Sequence, residues 1–180
     1  MTAKVNKRST VHQGKVFSLI RENVTLDNGA TTDLEFVEHP GATAIVPFLN
    51  ASRVLLLKQY RHALKDYIWE IPAGTLDPDE SPMSCAKREL IEETGYSADQ
   101  WQKLGEITPV PGYSDERIHI YLATALKPDR QQLDKDEIIK VHEIEFKAAM
   151  EMIKRGEIQD AKSITGLFLA LDRLKENGSL

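Results

Sequence analysis

The segment from Ser81 to Gly95 constrains local structure most strongly in this 180-residue chain, because it specifies both ends of a helix. Ser81 is a favoured N-cap residue, Pro82 suits the first helical position, and Gly95 suits the left-handed residue that ends a helix. Between these ends, apolar residues at helical spacing form one stripe that faces a core: Met83, Ala86 and Leu90. The sequence therefore predicts a helix over residues 82–94.

Three glutamates, Glu89, Glu92 and Glu93, share the opposite face of this helix. Like charges at this spacing destabilise a helix by roughly 0.2–0.5 kcal/mol per pair. Anions in the last turn are disfavoured by a further ~0.3–1 kcal/mol through the helix dipole. A divalent cation with oxygen ligands would remove both penalties. The helix alone does not separate such a metal site from a solvated acidic face.

Charge and cysteine content narrow the class of protein. The net charge is −5, and no basic patch stands out, which argues against a nucleic-acid partner. Cys85 is the only cysteine, so an intrachain disulfide is excluded and a reducing compartment is favoured. No stretch approaches the length of a membrane span or resembles a secretory signal. We therefore expect a cytoplasmic protein without a membrane partner, and we expect its polar first ten residues to be poorly ordered.

The remaining elements predict one catalytic domain with a small N-terminal addition. Asp27-Asn28-Gly29 between two strand-like runs indicates a β-hairpin, and residues 1–40 form an N-terminal β unit. Residues 41–180 form the catalytic domain, in which strands and helices are interspersed without regular alternation, as in a mixed sheet between helical layers. Strands are predicted over 42–49, 54–60, 101–110, 117–125 and 141–146. Further helices are predicted over 147–155 and 160–175.

The run from Gly74 to Tyr96, GTLDPDESPMSCAKRELIEETGY, resembles the Nudix box. That box consists of Gly, five residues, Glu, seven residues, Arg-Glu, an apolar residue, any residue, Glu-Glu, any residue, Gly and an apolar residue. Tyr96 is the one departure, since an aliphatic residue is more usual there. The resemblance implies an α+β fold, the Nudix α/β/α sandwich with a mixed sheet, carrying a small N-terminal antiparallel β unit.

Other segments are similar to the branch of this superfamily that contains ADP-ribose pyrophosphatases and other nucleoside diphosphate sugar hydrolases. Pro111 stands sixteen residues after Gly95, a spacing that marks the branch. The similar segments are Lys58–Arg61, Trp69–Gly74, Pro111–Ser114 and Gly156–Ser163. The implied activity is Mg²⁺-dependent hydrolysis of ADP-ribose to AMP and ribose 5-phosphate, with Mn²⁺ as a substitute metal.

The resemblance implies a metal site formed by the backbone carbonyl of Ala73 and by three glutamates, Glu89, Glu92 and Glu93. Glu80 corresponds to a residue outside the ligand set. We group Arg88 with the catalytic residues, as the arginine that orients a carboxylate rather than as a phosphate contact. The resemblance implies that the general base comes from a mobile loop after the sixth or seventh strand, and Glu137 is our candidate. Glu92 and Asp136 are its rivals.

The implied substrate contacts lie outside the box. Arg61 bridges phosphates or crosses a dimer interface, and Glu70 directly precedes the catalytic turn. Pro111-Gly112-Tyr113-Ser114 forms a loop over the terminal ribose, where Tyr113 either stacks or packs. Phe17 and Phe36 are candidates to stack on the nucleobase from the partner's N-terminal unit. A homodimer is expected, because an isolated hairpin is only marginally stable and needs burial.

Two alternatives remain at this point. The same machinery would cleave GDP-mannose or another nucleoside diphosphate sugar, and a tenfold preference needs only about 1.4 kcal/mol. A non-catalytic nucleotide-sensing module is the second alternative. It predicts missing carboxylates in the box, and none is missing.

Overall fold

The computed structural model describes residues 3–135 and 137–176. These residues form two compact units. The first contains the described residues up to Gly41 together with Thr108–Arg117, and the second contains Ala42–Ile107 and the described residues from Ile118 onward. The sequence did not assign the segment Thr108–Arg117 to the first unit. No helix in the described part of the chain is long and apolar enough to cross a membrane.

The first unit is built on a three-stranded antiparallel sheet in the order β1-β2-β3. Its strands are β1 (Lys4–Gln13), β2 (Ser18–Thr25) and β3 (Thr31–Glu38). The predicted hairpin joins β2 to β3, and its turn places Gly29 at φ 83°, a left-handed conformation that glycine adopts without strain. The prediction of a small antiparallel N-terminal β unit is confirmed.

The expectation that the first ten residues are poorly ordered is wrong for most of them. Strand β1 pairs with β2 from Lys4 opposite Thr25 to Gln13 opposite Ser18. Every β1 side chain is exposed, so this strand carries no hydrophobic pattern in its sequence. Backbone pairing holds it, together with cross-strand ion pairs such as Arg8 Nη1 to Glu22 Oε1 at 2.9 Å.

The segment Thr108–Arg117 packs along β3 within the first unit. Val37 N donates to Tyr113 O at 2.8 Å, and Asp115 N donates to Val37 O at 3.1 Å. The Asp115 carboxylate also accepts a hydrogen bond from His39 N at 2.8 Å. The predicted Pro111–Ser114 loop is therefore held by the backbone of β3.

The second unit contains two sheets and three helices. The four-stranded sheet has the order β7-β4-β9-β8, formed by Ala73–Thr75, Ala42–Pro47, Ile118–Pro128 and Tyr96–Ile107. The three-stranded sheet has the order β10-β5-β6, formed by Ile139–Glu145, Arg53–Arg61 and Asp66–Glu70. The helices are α1 (Pro82–Thr94), α2 (Phe146–Lys154) and α3 (Ala161–Glu176). Strand β4 runs parallel to β9, while the other pairs in both sheets are antiparallel.

Strand β4 is buried on both faces because its side chains alternate between two helical layers. Ala44 and Val46 belong to the core cluster that contains residues of α2 and α3. Ile45 belongs to a second cluster with Ala86 and Leu90 of α1. The mixed sheet thus lies between α1 and the other helices, which confirms the predicted α+β class and the α/β/α layering.

Element boundaries differ from prediction where the local signal is weak. The three helices begin and end within one residue of the predicted positions. Strands β6 and β7 were not predicted, because β6 is largely exposed and β7 has three residues. Strand β8 begins at Tyr96, directly after the helix, whereas the sequence predicted its start at Trp101.

Candidate active site

Helix α1 forms with the predicted caps. Ser81 has extended backbone angles (φ −75°, ψ 148°), and its hydroxyl accepts a hydrogen bond from Ser84 N at 3.2 Å. Gly95 is left-handed (φ 71°, ψ 29°), and its N–H donates to Ile91 O at 2.8 Å. Both caps fix the length of the helix, so the acidic face lies against the turn that contains β7.

The backbone of β7 approaches one carboxylate of this helix closely. A Cβ built on Gly74 would lie 1.9 Å from both Cδ and Oε1 of Glu89, which is far inside van der Waals contact. The Glu89 side chain therefore occupies the space that any other residue at position 74 would fill. This contact explains why a glycine is needed there.

Glu93 is the most deeply buried of the three glutamates, at 2% exposure. Its Oε2 accepts a hydrogen bond from Ala73 N at 2.8 Å. The first two residues of β7, Ala73 and Gly74, are thus in direct contact with Glu93 and Glu89 respectively. Glu89 and Glu93 lie on successive turns of α1, and both of their carboxylates contact β7.

Arg88 lies among the box carboxylates and is hydrogen-bonded to three of them, Glu80, Glu89 and Glu92. Its Nη1 donates to Glu89 Oε1 at 2.6 Å and to Glu92 Oε2 at 3.0 Å. Its Nε and Nη2 donate to the two oxygens of Glu80 at 3.0 and 2.8 Å, and Nη2 also donates to Thr75 O at 3.2 Å. The hydrogen bonds from Arg88 to Glu80 lower the pKa of Glu80 to about 2. The guanidinium is fixed in orientation by carboxylates on both sides.

Burial raises the pKa of Glu89 to about 7, even though the Arg88 charge acts in the opposite direction. Burial also raises the pKa of Glu93 well above its usual range, and the hydrogen bond from Ala73 N only partly opposes this. The neighbouring negative charge of Glu137 raises both pKa values further. The positive charges of the protein alone are therefore too few to keep the buried carboxylates of Glu89 and Glu93 ionised at their ordinary pKa.

The donor set fits a hard divalent cation, which prefers oxygen ligands and supplies the missing charge. Within residues 3–135 and 137–176, no three His, Cys, Asp or Glu side chains are arranged as a preformed metal cage. The physical reason is visible in the contacts, since Arg88 holds Glu89 and Glu92 while Ala73 N holds Glu93. Metal ligation by these residues stays a prediction.

Glu137 is carried by a tight turn just before β10. Its N–H donates to Asp134 O at 3.1 Å, and its Oε2 accepts from Asp134 N at 3.0 Å. The charge of Glu137 acts on Glu89 and Glu93, so the turn brings this carboxylate within electrostatic reach of the helix. The rival candidate Asp136 lies outside the described residues.

Arg61 and Glu70 form a second charged cluster in the same unit. Glu70 is 3% exposed, and its Oε2 accepts from Arg61 Nη2 at 2.6 Å. Lys162 Nζ lies 3.2 Å from Glu70 Oε1 and 3.0 Å from Asp160 Oδ2. The Glu70 carboxylate is therefore held by two cations. Although burial lowers the pKa of Arg61, the hydrogen bonds to Glu70 and the charge of Glu93 outweigh it and raise that pKa.

Three residues beside Glu70 were not predicted from the sequence as site residues: Asp160, Lys162 and Ser163. Asp160 caps α3 by accepting from Ser163 N at 2.9 Å, and Ser163 Oγ accepts from Ile71 N at 2.8 Å, directly after Glu70. The one indication in the sequence is the similarity of Gly156–Ser163 to the resembled branch, which gives these residues no individual role. These residues join the start of α3 to the strand that carries Glu70.

The predicted site residues divide between the two units. The second unit contains the following predicted site residues: Arg61, Glu70, Ala73, Arg88, Glu89, Glu92, Glu93 and Glu137. The loop residues Pro111, Gly112, Tyr113 and Ser114 belong to the first unit, where the Tyr113 side chain is 60% exposed. In the same unit Phe17 is 46% exposed, and the Arg8 guanidinium lies 5.9 Å from the ring centroid of Phe36.

Comparison with known proteins supports a relationship over most of the chain. Residues 38–167 match the family model described as NUDIX domain. An ADP-ribose pyrophosphatase of Bacillus subtilis (strain 168) is 37% identical over 162 residues, covering 89% of this chain and 88% of that protein. A GDP-mannose pyrophosphatase of Escherichia coli O1:K1 / APEC is 38% identical over 133 residues, covering 69% of each.

A solved structure shares the fold. The crystal structure of an ADP compounds hydrolase superposes with a TM-score of 0.88, covering 100% of this chain and 98% of that one. The two sequences are 24% identical, so this match concerns the fold.

Proposed function

The chain belongs to the NUDIX family, and on that basis we propose that it hydrolyses the diphosphate bond of ADP-ribose to AMP and ribose 5-phosphate. One observation carries the proposal: the buried carboxylates of Glu89 and Glu93 meet the Ala73-Gly74 turn, with Glu137 in electrostatic reach. A solvated acidic face would instead leave these carboxylates exposed. The kinship to an ADP-ribose pyrophosphatase supports the choice of substrate.

Glu89, Glu92, Glu93 and the carbonyl of Ala73 would hold Mg²⁺, or Mn²⁺ in its place. When bound, the metal supplies charge neutralisation of the diphosphate and acidification of a water molecule. Glu92 is the most exposed of the three glutamates, with 37% of its side chain accessible, against 11% for Glu89. It is therefore the ligand most accessible to solvent and to a substrate.

Arg88 and Glu80 keep the ligand carboxylates in place. Glu80 binds Arg88 through both of its oxygens, so the guanidinium presents its remaining donors to Glu89 and Glu92. Since all of these donors are engaged by protein groups, this geometry supports an orienting role for Arg88 rather than a phosphate contact.

Glu137 is the proposed general base. A water oxygen forms a bond to one phosphorus, the bridging P–O bond breaks, and the bridging oxygen leaves with the other phosphate. The water proton passes to the carboxylate of Glu137. One oxygen of this carboxylate accepts from Asp134 N, and this bond orients the group within its turn. Glu92 is the rival that the structure also keeps accessible.

Arg61 is the proposed contact for the substrate phosphates, with Glu70 and Lys162 holding it. Because the Glu70 carboxylate is already bound by two cations, Glu70 acts on the substrate through Arg61. Pro111, Gly112, Tyr113 and Ser114 are proposed to contact the terminal ribose. Phe17 and Phe36 remain candidates for stacking on the nucleobase.

Turnover of a nucleotide-sugar panel in Mg²⁺ tests the proposal. We expect ADP-ribose to be cleaved to AMP and ribose 5-phosphate, identified by chromatography, with no turnover in a chelator. The matched Glu93→Gln variant should lose activity by about 10²-fold or more, because it removes one buried ligand charge. Full activity of Glu93→Gln would overturn the assigned metal site.

A second substrate class is supported by the GDP-mannose pyrophosphatase relatives. The same residues would act on its diphosphate, and only the base and sugar contacts would differ. Fast turnover of GDP-mannose beside no turnover of ADP-ribose would replace the first proposal with this one.

We also propose a homodimer formed through the first unit, in the cytoplasm. Apolar side chains are exposed on its strands and adjoining turn, including Val5, Val11, Val16, Phe17 and Leu34. Burying them against a second copy would stabilise the assembly. Sedimentation equilibrium tests this, and a monomer at micromolar concentration would contradict it.

A further inference from the structure

The C-terminal end of α1 is covered by a short segment, residues 129–132, which we call the strap. The last carbonyls of a helix have no partner within the helix and need donors from elsewhere. The strap supplies three: Asp129 N to Gly95 O (2.7 Å), Gln131 Nε2 to Glu93 O (2.6 Å) and Gln132 N to Glu92 O (3.0 Å). Two of these acceptors are the backbone carbonyls of proposed metal ligands.

Gly95 allows the strap to lie directly on the helix end. A Cβ at this position would be 3.2 Å from Gln131 N and 3.3 Å from Gln131 Cβ, so a side chain would push the strap away. Its φ of 71° also favours glycine. The final glycine of the box thus serves the strap as well as the helix cap.

The strap leads directly into the turn that carries Glu137. After that turn, Tyr60 N donates to Ile138 O at 3.1 Å, and Ile139 pairs with Gln59 of β5. Glu137 therefore lies between an upstream anchor on α1, made by residues 129–132, and a downstream anchor on β5, made by Ile138 and Ile139. Asp136, within this stretch, lies outside the described residues.

We propose that Gln131 is a positioning residue, which holds the Glu137 turn against the metal-binding helix through its hydrogen bond to Glu93 O. The inference rests on the proposed function, and in particular on Glu137 as the base. Of the three strap bonds, only this one uses a side chain, so it is the one that a substitution removes. The bond also connects the strap to Glu93, the most deeply buried of the three box glutamates on α1.

Gln131 and Gln132 form a matched pair for the test. Both are exposed, but Gln132 is bound through its backbone amide, which alanine retains. For Gln131→Ala we expect kcat on ADP-ribose with Mg²⁺ to fall about 10- to 100-fold, the effect of moving a catalytic group by up to ~1 Å. KM should stay within about twofold of the wild-type value. Gln132→Ala should match wild type in both parameters, and equal kcat for the two variants would overturn the inference.

A double variant separates positioning from a general structural effect. If Gln131 acts through Glu137, adding Gln131→Ala to Glu137→Gln should lower kcat by less than about twofold, because the group being positioned is already absent. Additive losses would overturn the inference. Wild-type kcat for Glu137→Gln would overturn both this inference and the choice of base, while the hydrolase activity would stand. Absence of ADP-ribose turnover by the wild type would refute the proposed function itself.

Discussion

The Glu89 carboxylate lies directly on the α-carbon of Gly74, in the space that a β-carbon at position 74 would occupy. The two residues are fifteen positions apart, one in a three-residue strand and the other in the middle of a helix. This contact sets the distance between α1 and β7, because the Glu89 carboxylate fills the space between the two backbones. It also leaves the Glu89 carboxylate mostly buried, which is the cause of its raised pKa.

Replacing Gly74 by alanine should therefore displace Glu89. The added Cβ would overlap its carboxylate, and overpacking of this kind costs about 1–3 kcal/mol in the free energy of unfolding. We expect a corresponding loss of stability in urea denaturation, and a fall in kcat of about 10²-fold because Glu89, a proposed metal ligand, is displaced. Gly105→Ala is the control, since its new Cβ meets only the end of the Leu169 side chain at 3.3 Å. Similar kcat values for both variants would contradict the packing argument.

Replacing Arg88 by lysine keeps the charge but removes the planar fork that binds Glu80 and Glu92 together. We expect kcat to fall by about 10²-fold, since Glu89 and Glu92, the proposed metal ligands bound by Arg88, lose their fixed orientation. KM should change by less than about twofold. Steady-state kinetics on ADP-ribose provide the measurement, with Lys87→Arg on the exposed side of the same helix as control. A raised KM with unchanged kcat would instead assign Arg88 to the substrate.

The parts of this site that could be predicted from sequence are those fixed by local chemistry. The helix caps at Ser81 and Gly95 and the shared face of the three glutamates follow from spacing within fifteen residues. Strand β1 could not be predicted, because all of its side chains are exposed and it is held by backbone pairing and surface ion pairs rather than by apolar burial. Its partner is the next strand, β2, but pairing that buries no apolar side chain leaves no hydrophobic pattern in the sequence.

Contacts between residues far apart in the sequence could not be predicted either. Lys162 binds Glu70 across ninety-two positions, and Gln131 binds the carbonyl of Glu93 across thirty-eight. A lysine or a glutamine at such positions is ordinary in a surface helix or loop. Only the folded chain shows that one cation is 12% exposed beside a buried carboxylate and that one carboxamide caps a helix.

Replacing Lys162 by methionine should weaken the hold on Arg61. Glu70 would keep one cationic partner rather than two, so Arg61 would be less well oriented toward a phosphate. We expect KM for ADP-ribose to rise about tenfold, equivalent to ~1.4 kcal/mol, with kcat little changed. Lys154→Met is the control, because that exposed lysine pairs with Glu151 on the protein surface. A fall in kcat with normal KM would place Lys162 in a different role.

Magnesium should stabilise the protein more at about pH 8 than at about pH 6. The pKa of Glu89 is raised to about 7 from an ordinary value of 4.5, so the metal-free folded state binds more protons than the unfolded chain between these values. The protonation of Glu89 therefore stabilises the metal-free fold fully below pH 4.5, and this stabilisation is lost as the pH rises through about 7. Mg²⁺ requires the ionised carboxylate, and protons compete with it until Glu89 has ionised.

Thermal unfolding with and without Mg²⁺ across this pH range measures the effect. The metal-dependent rise in Tm should grow with pH in the wild type, and Glu93, whose pKa is also raised by burial, should act in the same direction. In Glu89→Gln the rise should be smaller and should depend less on pH, because one of the two titrating carboxylates is gone. A rise in Tm that is the same at both pH values in the wild type would mean that these carboxylates are not the ones the metal binds.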